Sequence, residues 1–175
     1  MIQRLISAAA ALLALSAAPA LAEVKSATPG GFEVGGTVAI NASPARVWSV
    51  LTAPDAWWSR DHRWFRASTL SLDLAPGGCW CERAEDGRVS RHLETALVEP
   101  GSKLVLRGGL GPFQGQGATG GLTFDLKAEG ENSTLTWSYI VGGYTPGGLE
   151  AWAGPVDGVL SAQLANLKTR AETGD

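Results

Sequence analysis

Residues 38–51 read VAINASPARVWSVL, a short apolar strand followed directly by the start of a helix. Ser43 is a favoured N-cap residue, because its side chain can accept a hydrogen bond from the first helical turn. Pro44 suits the first helical position, where its missing N–H has no partner to lose. Apolar residues then recur at helical spacing, which predicts a first helix from Pro44 to Thr52.

A second decisive stretch, PVDGVLSAQLANLK, lies at residues 155–168. Its apolar residues also recur at helical spacing, which predicts one long amphipathic helix near the end of the chain. One position on the apolar face is polar, Gln163. The residues of this face are Val156, Val159, Leu160, Gln163, Leu164 and Leu167.

Between the two helices, apolar and polar residues alternate with the period of half-buried strands. A first such strand contains Leu70, Leu72 and Leu74, and turn residues separate it from the strands that follow. Strands with one apolar face can form a single antiparallel sheet that curls around the last helix. The sequence therefore predicts an α+β fold with a cavity between the curved sheet and the helix. Further strands are predicted at residues 79–84, 90–98, 103–107, 122–128 and 134–141.

Residues 1–22 have the layout of a secretory signal peptide. Arg4 precedes an Ala/Leu-rich run, and small residues precede Glu23. The run is shorter than the roughly 20 residues that a spanning helix needs. We therefore expect cleavage between Ala22 and Glu23, a secreted or periplasmic protein, and no stable membrane anchor after cleavage.

The remaining sequence predicts one domain. Residues 23–31 form a polar lead-in with Pro and Gly, and residues 32–172 have a typical length for a single domain. The chain carries 14 Lys and Arg against 17 Asp and Glu, a formal charge of −3. Nucleic-acid-binding proteins usually carry an excess of basic residues, so this composition does not indicate one.

The stretch 38–51, the turn Pro76-Gly77-Gly78 and the closing helix together resemble the START/Bet v 1-like (SRPBCC) superfamily, in particular its polyketide cyclase and Aha1 C-terminal-like branch. The resemblance covers nearly all of the chain after residue 22. It implies a helix-grip fold with a deep hydrophobic cavity that holds a small hydrophobic molecule. It does not imply one activity, because the superfamily includes lipid carriers, hormone receptors, ring-closing enzymes and co-chaperone domains.

Cys79 and Cys81 lie on a strand that leads to the turn Asp86-Gly87. A two-residue hairpin turn there would place Cys81 opposite His92 and Cys79 opposite Glu94. Alternation of side chains would then put these four residues on the cavity face. The same register pairs Glu82 with Arg91 on the solvated face.

Three interpretations of the two cysteines stay open. Thiolate, imidazole and carboxylate are zinc ligands, so the four residues predict a zinc site. An oxidising compartment favours a disulfide instead. Residues two apart on a regular strand have Cβ atoms roughly 6.5 Å apart, whereas a disulfide needs about 3.8 Å, so that bond requires a kink. The third interpretation is a pair of inert half-buried thiols. No other cofactor is indicated.

The stretch 108–121 is rich in glycine and predicts either a flexible connection or a mobile flap over the cavity, with Gly115 and Gly117 as candidate flap residues. Residues 115–120 match G-x-G-x-x-G, but a strand pattern follows, so the helix of a nucleotide site is missing. Aromatic and apolar residues should line the cavity. The candidates are Trp48, Trp58, Trp137, Tyr139, Trp152, Leu160 and Leu164.

Two functions follow from these residues. The first is an exported binding module that holds a small hydrophobic molecule, which we favour because no convincing catalytic set is present. The second is a cyclase-like or hydrolase-like enzyme that uses Cys79, Cys81, His92 and Glu94 as a metal centre or acid–base set.

Overall fold

The computed structural model describes residues 23–174, and the leader predicted for residues 1–22 lies outside the described residues. The two helices are α1 (Pro44–Leu51) and α2 (Ala153–Thr173). The strands are β1 (Glu23–Thr28), β2 (Gly31–Ile40), β3 (Ser68–Leu72), β4 (Cys79–Ala84), β5 (Val89–Glu99), β6 (Lys103–Gly108), β7 (Gly117–Glu129) and β8 (Asn132–Tyr144).

The strands form one antiparallel sheet in the order β1-β2-β8-β7-β6-β5-β4-β3. The long helix α2 packs against β2 and α1. Its residues Leu160, Leu164 and Leu167 are buried in the core. The predicted α+β fold, a sheet wrapped around a long helix near the end of the chain, is confirmed.

The helix α1 begins as its sequence predicts. The Ser43 side chain accepts a hydrogen bond from the Arg46 N–H at 3.4 Å, which caps the first turn. The Arg46 guanidinium then donates to the Arg170 carbonyl oxygen at 3.0 Å. That contact ties α1 to the last turns of α2. Within residues 23–174, no helix has both the length and the apolar character needed to cross a bilayer.

Two strands begin earlier than the sequence predicts, because glycines interrupt the apolar alternation. Strand β2 begins at Gly31 and strand β7 begins at Gly117. In β7, Gly120 lets the Tyr139 ring pack closely against the backbone, because a Cβ at this position would lie 2.5 Å from Cε2 of Tyr139. This part of the chain is therefore sheet rather than loop, which agrees with the absence of a nucleotide-binding helix.

The polar lead-in contains a strand that the sequence does not predict. Residues Glu23–Thr28 form β1 at one edge of the sheet and pair with β2. Every residue of β1 is exposed. Without a buried face the strand has no hydrophobic alternation, so a pattern search has nothing to detect.

Candidate functional site

A cavity of about 300 Å³ lies between the first turns of α2 and the sheet. Most of its lining is aromatic or aliphatic, and the polar exceptions are His62, Arg63 and His92. The remaining lining residues are Trp58, Trp64, Leu110, Gly111, Pro112, Phe113, Tyr139, Trp152, Pro155, Val156, Val159 and Leu160.

Four of the seven predicted lining residues are in this cavity: Trp58, Tyr139, Trp152 and Leu160. The other three lie elsewhere, because the cavity occupies one end of α2 rather than its whole length. Leu164, one turn beyond Leu160, is buried in the core, as is Trp137. Trp48 is partly buried on α1 and packs against the edge of the core.

The glycine-rich stretch contributes one wall of the cavity. A 3₁₀ turn at Gly111–Gly115 carries Phe113 against Trp152, with ring centroids 5.2 Å apart. Gly117 belongs to β7, so the prediction that it is a flap residue is wrong: it pairs with Tyr144 in the sheet. Gly115 ends the 3₁₀ turn, and its mobility stays a prediction.

Tyr139 holds the start of that wall in place. The Leu110 N–H donates to the Tyr139 hydroxyl oxygen at 3.3 Å. Burial raises the pKa of Tyr139 to about 12, and the hydrogen bond from Leu110 offsets this only in part. The hydroxyl is therefore neutral at physiological pH and acts as a positioning group.

The β4–β5 hairpin differs from its predicted register because its turn has three residues rather than two. The Ala84 N–H donates to the Arg88 carbonyl oxygen at 2.9 Å, and Gly87 has a positive φ of 90°. Near the turn, the pairing is therefore shifted by one residue. A bulge after Trp80 restores the predicted register, so that Cys79 lies opposite Glu94.

The shifted register reverses which charged residue faces the interior. Cys81 lies opposite Arg91 rather than His92. Glu82, predicted on the solvated face, is fully buried, and His92 is buried beside it. The one-residue shift puts Glu82 on the same face as His92. The bulge, in which His92 is the extra residue, turns Glu94 to the opposite face.

Cys79 and Cys81 form a disulfide. Their Cα atoms are 5.2 Å apart, closer than the roughly 6.5 Å of residues two apart on a regular strand, so β4 is contracted at this point. The interpretation of the cysteines as inert thiols is therefore wrong. Of the three alternatives, only the disulfide agrees with the structure.

The predicted convergence of Cys79, Cys81, His92 and Glu94 is also wrong. Glu94 forms an ion pair on the surface, whereas His92 turns into the interior. Among residues 23–174, no group of three or more His, Cys, Asp or Glu side chains is placed to hold a metal ion. Cys79, Cys81, His92 and Glu94 therefore do not form a zinc site in this structure.

Glu82 is instead the centre of a buried hydrogen-bond network. Its Oε1 accepts from the Phe65 N–H at 2.6 Å and from the Ser68 hydroxyl at 2.8 Å. Its Oε2 accepts from the Trp64 N–H at 3.0 Å and lies 2.9 Å from His92 Nε2. Burial alone would raise the pKa of Glu82, but these four donors outweigh it and lower the pKa.

The two ring nitrogens of His92 both have partners. Because the Trp64 Nε1–H and the Ser90 hydroxyl both point to Gln114 Oε1, the Gln114 amide nitrogen donates to His92 Nδ1 at 3.3 Å. Nε2 then carries the proton and donates to Glu82. Burial lowers the pKa of His92, although the Glu82 carboxylate opposes this effect. His92 is thus a neutral, fully engaged imidazole.

Arg63 secures the loop that precedes β3. Its guanidinium donates to Asp55 Oδ1 at 2.6 Å, to the Ser68 carbonyl oxygen at 2.9 Å and to the Trp58 carbonyl oxygen at 2.8 Å. The side chain of Arg63 is 2% exposed and lines the cavity. These hydrogen bonds connect the loop to the start of β3 and help to position the cavity residues Trp58 and Arg63.

Acidification should destabilise the fold through His92. Because the pKa of His92 lies below its ordinary 6.5 when folded, the unfolded chain takes up this proton at a higher pH than the folded chain. The free energy of unfolding should therefore fall as pH drops below about 6.5. A second loss should follow below about pH 4.5, as Glu82 becomes protonated.

Urea unfolding at several pH values measures this effect, with His92→Gln as the comparison. The substitution removes one titrating group, so the decline in stability between about pH 7 and pH 5 should be shallower. An identical decline in both proteins would show that His92 does not contribute.

Several site residues could not be found by the sequence analysis. Gln114, His62 and Arg63 lie outside any regular strand or long helix, and their partners are distant in sequence or are backbone groups. One clue existed: Gln163 is the single polar residue on the apolar face of α2. A buried amide needs hydrogen-bond partners, and that need points to a polar contact near the helix.

The family assignment rests on a match to residues 32–172. The matching family model is described as polyketide cyclase / dehydrase and lipid transport. The chain belongs to this family. The resemblance inferred from the sequence is confirmed at that level. No curated protein matches the chain at a significant level.

Solved structures similar to this polyketide cyclase family member share its fold at low identity. An uncharacterized protein from Rhizobium leguminosarum has a TM-score of 0.60 and 19% identity, over 81% of this chain and 94% of the other. Ara h 8.0201 has a TM-score of 0.56 and 14% identity, over 81% and 98%. CalU16 from Micromonospora echinospora has a TM-score of 0.51 and 19% identity, over 79% and 73%. These likenesses support the Bet v 1-like helix-grip fold.

Proposed function

We propose that this protein binds a small hydrophobic molecule in the cavity between α2 and the sheet. The observation that carries the proposal is the cavity itself, about 300 Å³ in volume and lined mostly by aromatic and aliphatic side chains. Concave apolar surfaces with a few polar groups are typical of small-molecule sites. Membership in a family described by lipid transport as well as cyclase activity supports the same conclusion.

The size and shape of the cavity favour a compact, flat ligand. Its volume is at the low end of the usual range for small-molecule sites. Trp58, Phe113 and Trp152 line it, and aromatic side chains suit a ligand with fused rings. A molecule of one to three rings therefore fits better than a long acyl chain.

The state of His92 favours binding over catalysis. A general base needs a free nitrogen within reach of the substrate. Both nitrogens of His92 are engaged, one with Glu82 and one with Gln114. The Glu82 carboxylate is likewise occupied by four donors. His92 therefore forms part of the cavity wall, and Glu82 holds it there.

Binding of ethylnaphthalene, an apolar fluorescent probe, tests the proposal. The wild-type protein should bind it saturably, and Val159→Trp should weaken binding by at least about tenfold, because the indole fills the cavity next to Leu160. Val89→Trp is the matched control, since Val89 is 60% exposed on β5. Equal affinity in the two variants would place the probe outside the cavity.

Export of the chain is the second part of the proposal. It is supported by the leader pattern of residues 1–22 and by the Cys79–Cys81 disulfide, since disulfides persist in oxidising compartments. The exported protein should begin at Glu23. N-terminal sequencing of the mature protein checks this, and a mature chain that still begins at Met1 would contradict it.

A further inference from the structure

The Cys79–Cys81 disulfide lies on the outer face of the sheet. Along β4 the two cysteines are partly exposed, whereas Trp80 and Glu82 are buried. Successive side chains of a strand point to opposite faces, so the cysteines lie on the other side of the sheet from Glu82 and from its partner, the cavity residue His92. A molecule in solution can therefore reach the disulfide without entering the cavity.

The disulfide is not needed to hold β4 in place. Its two cysteines are only two positions apart, and a cross-link constrains the unfolded chain least when the loop it closes is short. Strand β4 is paired with β3 on one side and with β5 on the other. Breaking the S–S bond therefore leaves the strand in its sheet. Exposed disulfides are also the kind that exchange readily with thiols.

The charges beside the two cysteines differ. Arg91 lies directly opposite Cys81 on β5, and cross-strand neighbours have Cβ atoms about 4.5 to 5.5 Å apart. Glu94 lies opposite Cys79, and on the other side the Asp73 N–H donates to the Cys79 carbonyl oxygen at 3.1 Å. A basic residue therefore adjoins Cys81, whereas two acidic residues adjoin Cys79.

This asymmetry determines which sulfur leaves when the bond breaks. A neighbouring guanidinium stabilises a thiolate, whereas a carboxylate destabilises one. The better-stabilised thiolate is the faster leaving group in thiol–disulfide exchange. Arg91 also pairs with Glu94, but a guanidinium has five N–H donors and can serve a carboxylate and a thiolate together. An incoming thiolate should therefore attack Cys79 and release Cys81.

We propose that the Cys79–Cys81 disulfide is a thiol–disulfide exchange site that oxidises an external dithiol. One thiolate of the dithiol attacks Sγ of Cys79, the S–S bond breaks, and its electron pair leaves on Sγ of Cys81. The second thiol of the dithiol then attacks the mixed disulfide and releases Cys79. Two electrons and two protons pass to the protein, and the dithiol becomes a disulfide. This activity is independent of the cavity.

A reduced synthetic peptide with two cysteines tests the activity when oxygen is excluded. The oxidised wild-type protein should form up to one peptide disulfide per chain, while two protein thiols appear for each one formed. The double variant Cys79→Ser/Cys81→Ser is the control and should leave the peptide reduced. A peptide that also stays reduced with the wild type would overturn the proposal, whatever the result of ethylnaphthalene binding.

Reduction by dithiothreitol tests whether the site works in the folded protein. The S–S bond should be reduced without denaturant, and the circular dichroism spectrum should stay that of the folded chain, because β3 and β5 still hold β4. A disulfide that resists dithiothreitol until the protein is unfolded would overturn the proposal.

The role of Arg91 is measured by the rate of that reduction. Arg91→Gln should slow it about threefold, because the leaving thiolate loses a neighbouring positive charge. Arg66→Gln is the matched control, since Arg66 also forms an exposed ion pair but precedes β3. Its rate should equal that of the wild type. Equal rates in the two variants would overturn the role of Arg91.

The site of attack can be located directly. Oxidised protein is mixed with glutathione and quenched with N-ethylmaleimide, and fragmentation mass spectrometry then assigns each modification. We expect glutathione on Cys79 and maleimide on Cys81. The reverse assignment would overturn the direction of attack. As a second measurement, iodoacetamide at neutral pH should alkylate Cys81 in Cys79→Ser faster than Cys79 in Cys81→Ser.

Discussion

Replacing Glu82 with alanine should lower the free energy of unfolding by about 3 to 5 kcal/mol, comparable to breaking a buried ion pair. The carboxylate is fully buried and accepts hydrogen bonds from Phe65, Ser68, Trp64 and His92. Its removal leaves the His92 Nε2–H and the N–H groups of Trp64 and Phe65 without their acceptor, whereas the Ser68 hydroxyl can still donate to the Phe65 carbonyl oxygen. Each unsatisfied group costs about 1 to 3 kcal/mol, only partly relieved when water enters the gap.

Glu94→Ala is the matched control for this prediction. Glu94 lies on the same hairpin, but its side chain is 45% exposed and its ion pair with Arg91 is on the surface. Its loss should cost less than about 1 kcal/mol. Chemical denaturation of both variants measures the difference. The register expected from a two-residue turn would reverse the order, so a larger loss at Glu94 would contradict the observed hairpin.

Replacing Leu164 with alanine should cost about 2 to 5 kcal/mol, because the truncated side chain leaves a hole in the core under α2. Leu164 is 2% exposed and lies one turn beyond the cavity. Because α2 packs against β2 and α1, the surrounding side chains can close the hole only partly.

Leu97→Ala provides the comparison on the outer face of the sheet. Leu97 is 42% exposed on β5, so little apolar surface is lost when it is truncated. Its change should stay within about 0.5 kcal/mol. Thermal or urea unfolding checks both variants. A loss below about 0.5 kcal/mol at Leu164 would mean that α2 does not close the core.

The architecture could be predicted because it depends on patterns that extend over many residues. Ser43 and Pro44 mark the start of α1, and the apolar face from Val156 to Leu167 identifies α2. Each pattern contains enough residues to tolerate an exception. A single polar residue such as Gln163 does not obscure the helix.

The candidate site could be predicted only in part, because it depends on one residue of register. A turn of two residues and a turn of three differ by a single position, yet the choice decides whether Glu82 or Cys81 shares a face with His92. The bulge after Trp80 depends on packing of the whole sheet. Local sequence contains little information on either feature.

The polar contacts at the cavity could not be predicted from the sequence for a second reason. His62 and Gln163 are separated by 101 positions, and His92 and Gln114 by 22. These pairs form because the fold brings a loop against α2 and a 3₁₀ turn against β5. Their sequence spacing carries no periodicity, so a single sequence gives no indication of the pairing.

The central claim is that the cavity beside α2 receives an apolar molecule, and nuclear Overhauser contacts test it most directly. With ethylnaphthalene bound, we predict contacts from the probe's ring protons to the methyl groups of Val159, Leu160 and Leu110, all of which line the cavity. Ile140 and Leu97, exposed on the sheet, should give none. Contacts to Ile140 or Leu97 without any to Val159 and Leu160 would contradict the claim.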